Sequence, residues 1–273
     1  MKLYRTASGL VVEEGDRYYA STNASLDSLM VRDDLEEHLT TLIREWTPAD
    51  ASALQKLRAP IGSQEVWGAG VTYYRSRVAR MAESPAGGSF YDRVYDAERP
   101  EIFFKATAHR VVGPNQKVAI RSDSKWSVPE PELALLITPN ARIVGYTVAN
   151  DMSSRDIEGE NPLYLPQAKT YDRSCALGPA ILVTPKEPDS SSEIRMEILR
   201  GGKGVFSGAT TLSARKRTSE SLVSYLYRHC SFPTGCFLMT GTGIIPEDSF
   251  TLQSGDEIRI SIDAIGTLVT FVG

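Results

Sequence analysis

The feature of this sequence that most restricts its fold is a pair of carboxylates placed directly before an apolar run. Glu130 and Glu132 flank Pro131, and the run 133–137 follows at once. Residues two apart in an extended strand point the same way, so both carboxylates share one face at the end of a buried strand. Two such groups repel each other and are costly to remove from water. A hard divalent cation with oxygen ligands would offset that cost, so the pair indicates a metal site.

A second β-rich run, residues 142–148, follows a turn containing Pro139 and Asn140. These two residues are typical of turns, and the two runs together predict a hairpin. Asp151 stands where the second run ends, beside or across from the start of the first strand, and is therefore a candidate third oxygen ligand. The residues alone leave an alternative, in which the two glutamates lie on a solvated strand end and Asp151 caps a turn.

These residues are part of an ordered series of motifs that resembles the fumarylacetoacetate hydrolase family. The family pattern E-x-E-L-A is matched at 130–134, and the other matches are G-Y-T at 145–147, N-D at 150–151, S-R-D at 154–156, Lys169, Asp172, G-P at 178–179, P-x-x-F-x-K at 100–105, T-G-T at 240–242 and G-D at 255–256. The resemblance implies that Glu130, Glu132 and Asp151 bind Mg²⁺, with Mn²⁺ or Ca²⁺ as alternatives. It also implies an α+β, β-rich fold with a mixed β-roll.

The resemblance also implies roles for residues around the metal. Lys169 is the candidate catalytic residue, either as a base whose pKa is lowered by the nearby cation or as the group that holds a developing oxyanion. Arg155 and Asp156 are expected to orient Asp151. The candidates for substrate binding are Thr72, Tyr73, Ser76, Arg77, Gln167, Tyr171 and Thr242.

One departure from the family pattern bears on the reaction. Hydrolytic relatives carry a His and a Glu after a G-x-N-Y segment, on a lid, and this pair activates water. Here the segment is G-V-T-Y at 70–73, and the two positions hold Ser76 and Ala79. Neither side chain is a general base near neutral pH, which argues against a hydrolase that cleaves C–C bonds. The polar, glycine-containing stretch 74–99 is interpreted as a lid or as a surface helix and loop.

The expected substrate is a 2-oxo acid that chelates the metal through its carboxylate and ketone oxygens. The segments 70–73, 76–77 and 153–169 resemble a dehydratase branch of the family. The prediction is a metal-dependent lyase (hydro-lyase) of pentose catabolism that converts a 2-keto-3-deoxy-pentonate, such as 2-keto-3-deoxyarabonate, to 2,5-dioxopentanoate through a metal-stabilised enolate. The alternatives are a hydrolase or decarboxylase of acylpyruvate-like or oxaloacetate-like acids, a non-catalytic 2-oxo acid binding protein, and a structural module.

The length of 273 residues suits a large domain with a small one. Residues 1–62 are predicted to form a small N-terminal α/β unit with helices at 32–46 and 49–57. The breaker at 59–62 marks the boundary, and residues 63–273 form the catalytic domain.

Charge and cysteine content restrict the partners. The net charge is −4, so no nucleic-acid partner is expected, and the basic run 215–217 is interpreted as a solvated face. The three cysteines are an odd number, and no stretch has the pattern of a signal peptide or a membrane span. We therefore expect a cytoplasmic protein with a small-molecule 2-oxo sugar acid as its partner. The family resemblance adds a homodimer or homotetramer.

Overall fold

The fold is described by a computed structural model that covers residues 1–76 and 88–273. The strands are β1 (Lys2–Thr6), β2 (Gly9–Glu14), β3 (Arg17–Ser21), β4 (Thr47–Ala49), β5 (Leu57–Arg58), β6 (Glu65–Gly70), β7 (Glu101–Thr107), β8 (Val111–Val112), β9 (Lys117–Val118), β10 (Ser127–Val128), β11 (Pro131–Ile137), β12 (Ile143–Asp151), β13 (Ser153–Ser154), β14 (Cys175–Val183), β15 (Glu193–Arg200), β16 (Lys203–Thr211), β17 (Cys236–Met239), β18 (Glu257–Ile262) and β19 (Gly266–Val272). The helices are α1 (Leu26–Met30), α2 (Leu35–Leu42), α3 (Gly88–Asp96), α4 (Arg155–Glu160), α5 (Leu165–Lys169) and α6 (Ser219–Leu226).

Most strands belong to two sheets. The larger sheet runs in the order β4-β3-β2-β1-β14-β12-β11-β17-β6-β7, and β5 and β8 pair with β1 and β14 outside this path. Its pairs are antiparallel except that β6 pairs with β17, and β8 with β14, in parallel. The second sheet has the order β16-β15-β18-β19-β9. The prediction of a β-rich α+β fold with mixed sheets is confirmed.

The predicted hairpin lies inside the large sheet, where β11 pairs antiparallel with β12. Every residue of β11 is buried. Leu133, Leu135 and Ile137 pack in a core shared with the second sheet, whereas Ala134 and Leu136 pack in the core beneath the N-terminal helices. A strand covered on both faces needs apolar residues at every position, which explains the unbroken apolar run in the sequence.

The N-terminal segment extends the same sheet, because β1 pairs antiparallel with β14. The helix predicted at 32–46 is shorter, and α2 is followed by a 3₁₀ turn at Ile43–Glu45. Pro48 disfavours a helical conformation of the residue before it, so the helix ends earlier. The helix predicted at 49–57 was wrong, since this stretch holds the 3₁₀ turn Ala51–Leu54 and then β5. The division into domains 1–62 and 63–273 stays a prediction.

Within 1–76 and 88–273, none of the helices combines the length and the apolar character needed to cross a bilayer. Assembly as a homodimer or homotetramer and a cytoplasmic location stay predictions.

The doubly covered strand β11 gives a stability prediction. Leu135→Ala removes a fully buried side chain from the core between the sheets, and it is expected to lower the free energy of unfolding by about 2–5 kcal/mol through lost burial and a residual cavity. Urea denaturation followed by circular dichroism measures this loss. Val205→Ala, at a side chain that is 42% exposed, is the control and is expected to change little. Equal losses in the two variants would contradict this account of the core.

Candidate metal centre

The structure brings the three predicted ligands together. Glu130, Glu132 and Asp151 each offer a carboxylate oxygen, and these oxygens lie within 4.8 Å of one another. All three side chains are buried. Glu130 immediately precedes β11, Glu132 lies in β11, and Asp151 ends β12. The hairpin register pairs Pro131 with Asn150, and the amide of Asp151 donates to the carbonyl of Glu130 at 2.9 Å.

Hydrogen bonds to neighbouring residues fix the backbone of Glu130 and the carboxylate of Glu132. The side-chain oxygen of Asn150 accepts from the amide of Glu130 at 3.2 Å. The amide of Gly241 donates to Glu132. Gly241 has φ +90°, and a Cβ on it would lie 2.0 Å from Thr72 Oγ1. This position therefore requires glycine, both for its backbone conformation and for the close approach.

Lys169 links the ligands, because its Nζ donates to Glu130 Oε2 at 2.5 Å and to Asp151 Oδ2 at 3.0 Å. A third bond of 2.5 Å goes to Ser153 Oγ. The short helix α5 places Lys169 here with its side chain 1% exposed. The predicted proximity of Lys169 to the ligands is thus present, and its role in catalysis stays a proposal.

Three further charged groups surround the ligands. Lys105 Nζ lies 2.5 Å from Asp151 Oδ1, and Arg155 Nη2 donates to Glu130 Oε1 at 2.6 Å. The buried carboxylate of Glu158 lies 3.9 Å from both Lys169 Nζ and Arg155 Nε. Arg155 was a predicted site residue, but Lys105 and Glu158 were not, although both lie within the family motifs. The sequence gives only a weak indication of their roles, because nothing in it distinguishes a buried Lys or Glu from a solvated one.

Arg155 and Asp156 were expected to orient Asp151. Arg155 instead contacts Glu130, and Asp156 accepts from Ser124 Oγ at 2.6 Å and from the amide of Lys125 at 2.7 Å. Asp156 therefore fastens the loop in front of β10.

The electrostatics of the triad fit a hard cation. Burial raises the pKa of Glu132 well above its ordinary value, and the negative charges of Asp151 and Glu130 raise it further. Three carboxylates held against this penalty, with all ligand atoms being oxygen, are the donor set that Mg²⁺ takes in proteins. The residues present therefore fit a magnesium ion held by Glu130, Glu132 and Asp151.

The triad opens into a cavity with mixed lining. The charged residues of the lining are Glu130, Glu132, Asp151, Arg155 and Lys169. The other lining residues are Ala69, Gly70, Val71, Ser76, Phe103, Gly241, Thr242 and Ile245. Of the predicted substrate-binding residues, Ser76 and Thr242 are in this lining. Ser76 Oγ is bonded to the backbone amide and carbonyl of Tyr73, and Thr242 Oγ1 accepts from the amide of Ile244.

Other predicted substrate-binding residues lie outside the lining. Thr72 Oγ1 donates to the carbonyl of Thr240 at 2.7 Å, and Gln167 is exposed. Tyr73 and Tyr171 have buried hydroxyls, and burial raises the pKa of both, that of Tyr73 to about 12. Arg77 and Ala79 lie outside the residues that the structure describes.

Glu101 is a residue that the sequence analysis missed. It lies on β7 two positions before Phe103, which lines the cavity, so the two side chains share one face of the strand. Glu101 pairs with Gly70, another lining residue, and a Cβ on Gly70 would lie 1.9 Å from Glu101 Oε2. The carboxylate therefore lies against Gly70, and we call this edge of the cavity lining, formed by Gly70 and Glu101, the mouth. The alternation of Glu101 with Phe103 in the quoted P-x-x-F-x-K segment was the available signal.

Similarity to known proteins agrees with this geometry. The family model "Fumarylacetoacetate (FAA) hydrolase C-terminal" matches residues 66–272. A probable 2-keto-3-deoxyxylonate dehydratase of Haloferax volcanii is 48% identical over 221 residues, which are 80% of this chain and 75% of the relative. A 2-dehydro-3-deoxy-D-arabinonate dehydratase of Saccharolobus solfataricus is 39% identical over 292 residues, or 99% of this chain and 95% of the relative.

A solved structure is also similar over the whole chain. It is a 2-keto-3-deoxy-D-arabinonate dehydratase complexed with magnesium and 2,5-dioxopentanoate, with a TM-score of 0.85 and 35% identity. The match covers 100% of this chain and 98% of that one.

The raised pKa of Glu132 predicts how magnesium and pH act together. In metal-free protein the raised folded-state pKa favours the protonated carboxyl, so its contribution to stability is full at low pH and is lost as pH rises through the raised value. Magnesium needs the ionised carboxylate, so its stabilising effect should grow over the same interval. The melting temperature, measured with Mg²⁺ and with EDTA from roughly pH 5 to 8, tests both the loss of metal-free stability and the growth of the Mg²⁺ effect as pH rises.

Two variants test whether Glu132 is a metal ligand. They are Glu132→Gln and, as a control, Glu197→Gln at an exposed position of β15. Glu132→Gln should reduce Mg²⁺ affinity by at least about 10-fold in calorimetry, because it removes one charged ligand. Glu197→Gln should leave the affinity unchanged. Wild-type affinity in Glu132→Gln would show that the cation is held elsewhere.

Proposed function

Because this chain belongs to the fumarylacetoacetate hydrolase family, we propose that it is a magnesium-dependent hydro-lyase acting on a 2-keto-3-deoxy-pentonate. The substrate would be 2-keto-3-deoxyarabonate or its xylonate equivalent, and the product 2,5-dioxopentanoate. The observation that carries the proposal is a buried triad of carboxylates in one cavity, with a further carboxylate, Glu101, against Gly70 of the cavity lining. The names of the two similar enzymes and of the similar structure support the substrate class.

The charge of the site supports a substrate with one carboxylate. Among the described residues, the site when ionised has five carboxylates, Glu101, Glu130, Glu132, Asp151 and Glu158, and three cations, Lys105, Arg155 and Lys169. Two net negative charges remain, and a divalent cation would neutralise them. A 2-oxo acid with a single carboxylate then adds one negative charge, whereas a dicarboxylate such as oxaloacetate would add two to the site.

Magnesium held by Glu130, Glu132 and Asp151 would act as a Lewis acid that polarises the 2-oxo group and makes the C3 hydrogens more acidic. The protein's own residues then have two tasks. Lys169 keeps Glu130 and Asp151 in place, because its three N–H donors are engaged by these two carboxylates and Ser153. Glu101 is proposed to accept the C3 proton, so the proton transfer predicted for Lys169 is assigned to Glu101 in this proposal.

The proposed dehydration has two stages, elimination of water and then tautomerisation to the aldehyde. Glu101 takes a proton from C3, the electron pair forms the C3–C4 double bond, and the C4 hydroxyl leaves as water with the proton that Glu101 returns. A proton shift from C5 to C3 gives the enol at C4 and C5, which tautomerises to the C5 aldehyde. Water is the only other product, and no oxidant or reductant is needed.

Ser76 supports dehydration over hydrolysis. It stands at the position of the His in hydrolytic relatives, and its Oγ is bonded to the backbone of Tyr73. A hydroxyl engaged in this way has no base beside it to make it activate water.

The test is an assay of the purified protein with Mg²⁺ and each enantiomer of 2-keto-3-deoxypentonate. A coupled dehydrogenase reports formation of the semialdehyde. We expect turnover of at least one enantiomer and loss of turnover with EDTA. Release of pyruvate from an acylpyruvate or of CO₂ from oxaloacetate, with no turnover of either sugar acid, would favour the hydrolase or decarboxylase alternative. Binding of Mg²⁺ and pyruvate without any turnover would indicate a binding protein.

The assignment of Glu101 predicts the behaviour of two variants. Glu101→Gln should lower kcat by about 10²–10⁴-fold, as expected for loss of a general base, with Mg²⁺ affinity retained. Gly70→Ala should lower kcat by about 10-fold or more, because the new methyl group displaces the Glu101 carboxylate. Steady-state kinetics at saturating Mg²⁺ measure both effects.

Gly204→Ala is the matched control, because a Cβ at Gly204 meets no atom within 4 Å. Its kcat should equal that of the wild type. A fully active Glu101→Gln variant would remove Glu101 from the mechanism without affecting the assignment of the metal ligands.

A further inference from the structure

The basic run at 215–217 makes specific contacts, although Lys216 is exposed and Arg217 is partly buried. We call Arg215, Lys216 and Arg217 the basic clasp. Arg215 is buried, with its side chain 6% exposed, and its Nη2 donates to Glu187 at 2.6 Å and to Ser219 at 3.1 Å. The interpretation of this run as solvated was therefore wrong for Arg215. Lys216 and Arg217 also donate hydrogen bonds to other parts of the chain.

Arg217 and Lys216 hold the end of α3. Arg217 donates to the carbonyls of Val94 at 2.9 Å, Ala97 at 2.7 Å and Glu98 at 3.0 Å. Lys216 Nζ donates to the carbonyl of Tyr95 at 2.8 Å and lies 4.1 Å from the centre of its ring. These carbonyls belong to the last turn of α3 and the residues after it, where cationic donors satisfy unpaired groups and interact favourably with the helix dipole.

The other side of the clasp is fastened to the segment after β6. The amide of Lys216 donates to the carbonyl of Thr72 at 2.9 Å, and Arg215 forms an antiparallel bridge with Tyr73. The clasp therefore joins the exit of β6 to the entrance of β7. These two strand ends carry Gly70, which lines the cavity, and its strand partner Glu101, whose carboxylate lies against it.

We propose that Arg217 is a positioning residue that sets the place of Glu101, an inference that rests on the proposed function. Glu101 is the third residue after Glu98, whose carbonyl accepts from Arg217. Three charge-assisted bonds from one guanidinium fix the turn that leads into β7, and the bond from Lys216 to Thr72 fixes the opposite edge of the mouth. A carboxylate that takes a proton from carbon must lie within hydrogen-bond reach of it, so loosening this turn acts directly on the chemical step.

The experiment compares Arg217→Gln, Arg217→Lys and the control Arg195→Gln in the full-length protein with Mg²⁺. Arg195 forms ion pairs with Glu193 and Asp263 outside the cavity lining. Arg195→Gln therefore controls for the loss of a hydrogen-bonded guanidinium elsewhere in the protein. Amide hydrogen exchange over residues 92–105, kcat and KM for the sugar acid, and Mg²⁺ affinity are measured for each variant.

Arg217→Gln should raise exchange over residues 92–105 and lower kcat by about 10-fold, with KM changed less than about 3-fold and Mg²⁺ affinity unchanged. Arg217→Lys should recover part of the loss, because it keeps the charge and some of the donors. Unchanged exchange at β7, or a kcat no lower than that of Arg195→Gln, overturns the proposal. If the wild type turns over neither sugar acid, the proposed function fails, and the exchange comparison still decides whether the clasp orders β7.

Discussion

The mutual repulsion of three buried carboxylates is the constraint on which the rest of the site depends. Glu130, Glu132 and Asp151 would be unstable together in a protein interior without positive charge beside them. Lys169 bridges two of them, and Lys105 and Arg155 lie against the other oxygens of Asp151 and Glu130. Carboxylate oxygens of all three residues still lie within 4.8 Å of one another, and this set of oxygens fits a magnesium ion.

Two parts of the fold form the site, the hairpin that carries the metal ligands and the strand ends at the mouth of the cavity. The ligands stand on a hairpin covered on both faces, so their spacing is set by strand register and by two packed cores. The mouth is formed by the exit of β6, the entrance of β7 and the clasp that joins them. Such an architecture allows one metal centre to be kept while the residues around the cavity differ.

Local rules predicted the parts of the molecule that local sequence controls. The hairpin followed from an apolar run, a turn and the alternation of side chains along a strand, whereas the choice of the ligand triad also needed the family resemblance. The helix near residue 32 was predicted too long, because apolar periodicity continued past the point where Pro48 and packing end it. Glu158 was missed, because nothing in a single sequence separates a buried carboxylate from the many solvated ones. Glu101 was missed although its alternation with Phe103 along β7 was a usable signal.

By itself the sequence determined the covered strand, the β-rich class and the three carboxylates that meet at its end, since each depends on residues close in the chain or on an ordered family pattern. Only the tertiary structure decided which charges surround the triad and what lies at its mouth. Lys105 and Arg217 reach their partners across 46 and at least 119 positions of the chain, from strands and helices that meet only after folding. Pairing over such separations is set by sheet order and packing, and no local pattern encodes it.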